Sequence, residues 1–278
     1  MILHVPHSST VIPPDIRPTL LLSEAEVQDE LLAMTDACTD ELFSTQHERV
    51  ERVVYPVSRL VLDPERFTDD EKEPMAARGM GVIYQKTSQG RPLRRQLTSN
   101  ERSALIERFY DPHHERLNES CKRALKAEGR CLMVDCHSFP NTPLPCDLDQ
   151  AVPRPDFCIG TDPYHTPKAL RELVVQSIRT MGYSVDLNRP YSGSLVPSEF
   201  YLKDQRVISI MIEVNRILYL DEAAGTKSGS FNRVKSLIDS VLISLRDIEF
   251  GSGGPLFHSL DEVEPMISNL KVVKSRSA

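Results

Sequence analysis

The stretch that most constrains this chain is "RVISIMIEVNR" at residues 206–216. It is a strand-length apolar run, rich in β-branched residues, that ends in Glu213, Asn215 and Arg216. Two shorter runs behave alike: "ILHV" at 2–5 leads into Pro6 and His7, and residues 131–135 lead into Cys136 and His137. Apolar runs of this length, bounded by turn residues, read as buried strands. Further strands are expected within 50–62 (broken at Pro56), 155–162 and 183–188. Helical patterns fill 23–46, 98–128, 166–182 and 228–247. In the first, Ser23 is the N-cap, Glu24 and Glu26 supply an acidic first turn, and Leu31, Met34, Cys38 and Leu42 form an apolar stripe. In the second, Pro112 interrupts the helix or begins another. The third is capped by Thr166 and closed by Gly182. Strands alternating with helices predict an α/β sheet with helices on both faces.

The 278 residues suit one domain over 1–250, with 251–278 reading as a partly mobile tail. Residues 63–97 stand apart, being rich in charge, Pro and Gly. They read as a long loop with one strand, "GVIYQ", and loops of that length are usually functional or disordered. No apolar run reaches membrane-spanning length, and no basic, then apolar, leader opens the chain. The net charge of −7 disfavours nucleic acid and anionic lipid as partners. Six cysteines without a CxxC pair predict free thiols in the cytoplasm. G-x-G-x-x-G, P-loop and G-x-S-x-G motifs are absent.

In open α/β sheets, ligands bind beyond the carboxyl ends of the strands. His7, His137 and Glu213 all fall there, and two histidines with a carboxylate form the donor set of a hydrolytic zinc site. No HExxH motif fixes the third ligand. Asp36 and Asp40 are four apart, so either can ligate while the other supports a histidine. Arg59 lies between apolar neighbours, where a guanidinium needs an acidic partner or an anionic ligand such as a substrate carboxylate.

With "HVPHSS", "TDACTDELF", "SRLVLDPERF", "VDCHSFP" and "IEVNRILYLDE" in this order, the chain resembles the N-formylglutamate amidohydrolase family from residue 2 to about residue 225. The resemblance implies a three-layer α/β/α fold with a mixed central sheet, like that of zinc carboxypeptidases. It implies one zinc ion and hydrolysis of N-formyl-L-glutamate to formate and glutamate in histidine degradation. By position it implies His7, Asp36 and His137 as metal ligands, with Asp40 competing for the third place. Glu213 would be the general base, and Arg59 would bind a substrate carboxylate or polarise the formyl oxygen. Ser8, Arg66, Asn188, Arg189 and Tyr191 would contact a small anionic N-acyl amino acid, and Asp40 and Asp135 would support the ligands. Two other readings remain at this stage: a related hydrolase of peptide-like or cell-wall amides, marked by a longer groove, and a non-catalytic binding protein.

Overall fold

The computed structural model describes residues 1–45 and 49–250. Its sheet has six strands: β1 (Ile2–Val5), β2 (Glu51–Val54), β3 (Cys131–Phe139), β4 (Phe157–Gly160), β5 (Val185–Leu187) and β6 (Val207–Asn215). Their order is β2-β1-β3-β6-β4-β5. β2, β1, β3 and β6 run parallel, and β4 pairs antiparallel to β6, so the sheet is mixed. β7 (Leu220–Asp221) and β8 (Thr226–Lys227) form a separate small ribbon.

β3 is longer than the expected 131–135, so His137 lies within the strand, with Asp135, rather than after it. Side chains alternate along a strand, which puts these two on one face. Register extends that polar line sideways, because His4 of β1 pairs with Asp135 and Glu213 of β6 pairs with His137. On the opposite face, Leu132, Val134, Ile210 and Ile212 join the core beneath α5 (Lys168–Thr180) and α6 (Phe231–Phe250). Each such side chain contributes about 1.5–3 kcal/mol when removed from water. On the polar face, Ile2, Met133 and Val207 pack against Leu117 and Cys121 of α4 (Asp111–Glu128). The half of that face nearer the strands' carboxyl ends stays polar.

The helix expected over 23–46 is divided, and residue 46 lies outside the described residues. α1 (Glu24–Met34) starts with the Ser23–Glu26 capping box. Thr35 is then extended, Cys38 is left-handed at φ 62°, and α2 (Thr39–Leu42) follows. Tertiary bonds override the local propensity here: Asp36 N donates to His7 O at 3.0 Å, and Thr39 Oγ1 donates to Asp36 O at 2.8 Å. The second helical region is α3 (Ser99–Leu105), a π-helical turn over 106–110, and α4, with Pro112 in its first turn. Helical backbone runs unbroken from Ser99 to Glu128, so Pro112 neither interrupts the helix nor begins another, and the π-helical turn lies just before it. Pro167, not Thr166, holds the N-cap position of α5, because the Thr166 hydroxyl is bound to Ser209 O at 2.6 Å. "GVIYQ" is not a strand, although Val82, Ile83 and Tyr84 are buried. Within 63–97 the one regular element is the 3-10 turn Pro74–Arg78. The predicted tail, 251–278, lies outside the described residues. Among the described residues, no helix is long and apolar enough to cross a membrane.

At the end of β4, Gly160 lets the loop after β5 approach closely. A Cβ there would collide with the carbonyl oxygen of Gly193 and the side chain of Met211. Gly160→Ala is expected to push the loop that carries Tyr191 outward and to cost about 1–3 kcal/mol. A lowered thermal midpoint with a changed near-ultraviolet tyrosine signal is the expected result.

Candidate active site

Asp36, freed from the helix, is 2% exposed and meets both predicted histidines. Its Oδ2 lies 3.1 Å from His137 Nδ1 and 3.7 Å from His7 Nδ1. Oδ2 also accepts the Ser138 N–H at 3.2 Å, while Oδ1 accepts Arg216 Nη2 at 3.1 Å. Burial alone would raise the Asp36 pKa, but the two imidazoles outweigh it and hold the carboxyl well below its usual range.

The far nitrogen of each imidazole is also engaged. His7 Nε2 donates to Asp63 Oδ1 at 2.9 Å, and His137 Nε2 donates to Asp135 Oδ1 at 3.1 Å, with Glu65 Oε1 at 3.2 Å. Asp63 and Asp135 remain ionised: burial opposes this, but neighbouring imidazoles, and Arg59 in the case of Asp63, prevail. An ionised carboxylate only accepts, so each Nε2 carries a proton, and the two Nδ1 atoms turn towards Asp36. His7 Nδ1 is buried and has no hydrogen-bond partner. Donor atoms of His7, Asp36 and His137 all lie within 4.8 Å of one another. Two further groups, His4–Glu65–Asp135 and His7–Asp63–Glu65, meet the same distance.

Asp63 anchors more than His7. Arg59 Nη2 donates to its Oδ2 at 2.8 Å, and the Tyr84 hydroxyl donates to the same oxygen. Arg59 therefore has the acidic partner that its apolar setting requires, and it also lines the cavity over the cluster. That cavity has a volume of about 420 Å3 and is walled by His7, Asp36, Arg66, His137, Tyr191, Glu213 and Arg216, among others. Glu213 is 6% exposed, and its Oε2 has no hydrogen-bond partner. Burial first, then Asp36 and Glu65, push its pKa up to about 8 against the opposing pull of His137 and Arg216.

The structure thus brings His7, Asp36, His137, Glu213, Arg59, Arg66, Asp135 and Tyr191 to one place. Asp40 is not among them; it lines a separate surface pocket with Arg52 and Lys227, because the break after Met34 separates it from Asp36. Ser8 is half-buried and does not line the cavity, whereas Ser138 does. Asn188 and Arg189 hold the loop rather than face the cavity. Asn188 Oδ1 accepts the Thr161 N–H at 2.9 Å, and Arg189 pairs with Asp186 at 2.7 Å and Asp149 at 3.2 Å. The sequence reading did not anticipate Asp63, Glu65 or Tyr84, and it assigned His4 no role in the site. His4 Nδ1 lies 2.9 Å from Asp135 Oδ1, and its Nε2 lies 2.9 Å from His113 Nε2. The available signal was "LDPER", where carboxylates follow a buried apolar run directly.

Fold and site together define an α/β protein with a buried histidine–carboxylate cluster at the carboxyl ends of its central strands. Comparison with known families matches residues 1–220 to N-formylglutamate amidohydrolase, and the chain belongs to that family of amide-bond hydrolases. A crystal structure of N-formylglutamate amidohydrolase from Ralstonia eutropha JMP134 is similar, with a TM-score of 0.76 and 23% identity over 88% of this chain and 92% of that one. A gene product from Agrobacterium tumefaciens is similar at a TM-score of 0.61 and 21% identity, over 88% and 91% of the two chains. No curated protein matches the chain.

The raised Glu213 pKa gives a test of the site's electrostatics. The native state keeps the Glu213 proton up to about pH 8, whereas the unfolded chain releases it near 4.5. This residue therefore erodes stability as pH rises between those values. In chelator-treated protein, Glu213→Gln is expected to melt higher than wild type at pH 8.5, with the gap closing towards pH 5. A gap independent of pH would contradict the assignment.

Proposed function

We propose that this chain is a zinc-dependent amidohydrolase that cleaves N-formyl-L-glutamate to formate and glutamate. The observation that carries the reading is the convergence of His7 Nδ1 and His137 Nδ1 on Asp36 Oδ2, with each ring's other nitrogen donating to a carboxylate. Metal-ligating histidines characteristically pass their second N–H to a carboxylate in this way. The unpartnered, buried His7 Nδ1 fits a ligand atom awaiting a cation. His7, Asp36 and His137 would hold one zinc ion, a donor set that suits this metal. When bound, zinc supplies Lewis acidity to the cavity.

The chain's own groups supply the rest. Glu213 has an unshared oxygen beside His137; a cation held by His7, Asp36 and His137 would favour its ionised form, which takes a proton from the attacking water and returns it to the leaving nitrogen. Arg59 and Arg216 are fixed by Asp63 and Asp36, and they present positive charge to the cavity where the acyl oxygen gains negative charge. Arg66 Nε makes no hydrogen bond, its guanidinium lies 3.6 Å from Asp63 Oδ2 and 3.8 Å from Glu73 Oε1, and it is suited to a substrate carboxylate. Tyr191, whose hydroxyl donates to Asp147 at 3.0 Å, closes the wall opposite. The free cysteines support a reducing, cytoplasmic setting. The substrate ties the reaction to histidine degradation, as the family resemblance implies.

Elemental analysis paired with formate release from N-formyl-L-glutamate tests the reading. Glu213→Gln is expected to keep zinc and to lose about 10²–10⁴-fold in turnover. Near-normal turnover in that variant would remove Glu213 from its role. His7→Ala is expected to lose the metal. Asp63→Asn, which leaves the ligands in place, is expected to weaken zinc binding about 10–100-fold in a chelator competition. Unchanged affinity would show that Asp63 does not support His7.

A further inference from the structure

The carboxylate behind His137 is itself held from behind. Asp135 Oδ1 accepts from His137 Nε2 and also from His4 Nδ1, the latter at 2.9 Å, while Asp135 Oδ2 accepts the Leu195 N–H at 3.0 Å. Register puts His4 there: it pairs with Asp135 across β1 and β3, so the two side chains stand side by side on the polar face. His4 Nε2 in turn lies 2.9 Å from Nε2 of His113, near the start of α4. A line of contacts therefore runs from α4 through β1 to β3, in the order His113, His4, Asp135, His137.

Every member of the line is buried: His4 is 0% exposed, Asp135 2%, His137 3% and His113 6%. So deeply placed, each polar group needs a protein partner. Asp135 stays ionised and only accepts, so His4 Nδ1 donates to it. Between His4 Nε2 and His113 Nε2 one proton fits, donated by one ring and accepted by the other. Burial first, then His4, His114 and Arg116, drive the His113 pKa down to about 2, so this ring is neutral and able to play either part. The Tyr55 and His113 rings pack edge to face with centroids 4.9 Å apart, and the adjacent His114 Nε2 donates to Pro64 O at 2.7 Å. The turn of α4 that carries His113 is thus fixed on two sides.

The site has a local need for such a brace. Glu65 Oε1 lies 3.2 Å from His137 Nε2 and 3.7 Å from His4 Nδ1, so it competes with Asp135 for both N–H groups. Glu65 comes from the irregular segment 63–97, whereas Asp135 stands on a central strand. By bonding Asp135 Oδ1, His4 keeps the strand carboxylate, rather than the loop carboxylate, turned to His137. We propose that His4 and His113 are positioning residues for His137: acting through Asp135, they fix the imidazole so that its Nδ1 faces Asp36. This role rests on the zinc reading of the same cluster and adds to it two residues that do not line the cavity.

The test is a chelator competition for zinc on the full chain. His113→Phe is expected to weaken zinc binding about tenfold, the low end of the range for groups that support a ligand. His113→Gln, which returns a polar group to the place of Nε2, is expected to recover most of that affinity. In a His4→Phe background, where the line is already cut, His113→Phe is expected to weaken binding no further. A loss that adds in full in that background, a His113→Gln chain as weak as His113→Phe, or unchanged affinity in His113→Phe overturns the proposal. Should His4→Phe fail to fold, the comparison of His113→Phe with His113→Gln decides alone. The proton resonance of His137 Nε2 is read as well, in chelator-treated protein: His113→Phe is expected to shift it, and an unmoved signal overturns the proposal. A wild-type chain that takes up no zinc removes the zinc reading, and this resonance then decides whether His113 positions His137.

Discussion

One buried carboxylate organises this protein. Asp36 is wrapped by two imidazoles, an arginine and a backbone N–H, and it lies where an isolated charge would be prohibitively costly. To reach that position the chain breaks a helix and places Cys38 in a left-handed conformation. Asp63 and Asp135 then lock the outer nitrogens of the rings, and Arg59 and Tyr84 lock Asp63. The cluster is a set of mutually dependent ions. Removing one partner leaves its neighbour uncompensated, and that interdependence fixes the orientation of the two imidazoles.

Much of this was legible in the sequence. The apolar runs identified β1, β3 and β6, and the residues that end them identified His7, His137 and Glu213. A strand buried on its core face must spend its hydrophobic positions there, so a charged residue within it signals a purpose on the other face. Asp36 was named from the family resemblance, with Asp40 left beside it. Helical spacing could not separate the two, because local propensity says nothing about the long-range bond from Asp36 N to His7 O. Asp63 and Glu65 were missed for a related reason. They sit in an irregular segment without periodicity, and only tertiary packing of Val82, Ile83 and Tyr84 brings that segment over the sheet.

The thiols take a different part. Cys136 neighbours His137 in sequence but points to the opposite face of β3, into the core under α5 and α6. Burial raises its pKa far above the usual thiol value. Cys158, also buried, is pushed up to about 12. Both are kept as protonated, apolar packing groups. Nucleophilic thiol chemistry beside His137 is thereby excluded by strand parity.

The parallel pairing of β3 with β6 carries a consequence for how the protein comes into being. Parallel neighbours need long crossovers, and here the connection between these central strands also contains β4, α5 and β5. His7 comes from near the start of the chain, while Glu213 comes from the last strand of the sheet. No contiguous fragment short of this span contains the cluster, and contacts of such sequence separation form late. During synthesis the emerging chain therefore carries His7 and Glu213 apart. Glu213 meets His137 only when β6 slots between β3 and β4, so a complete cluster also certifies a finished sheet.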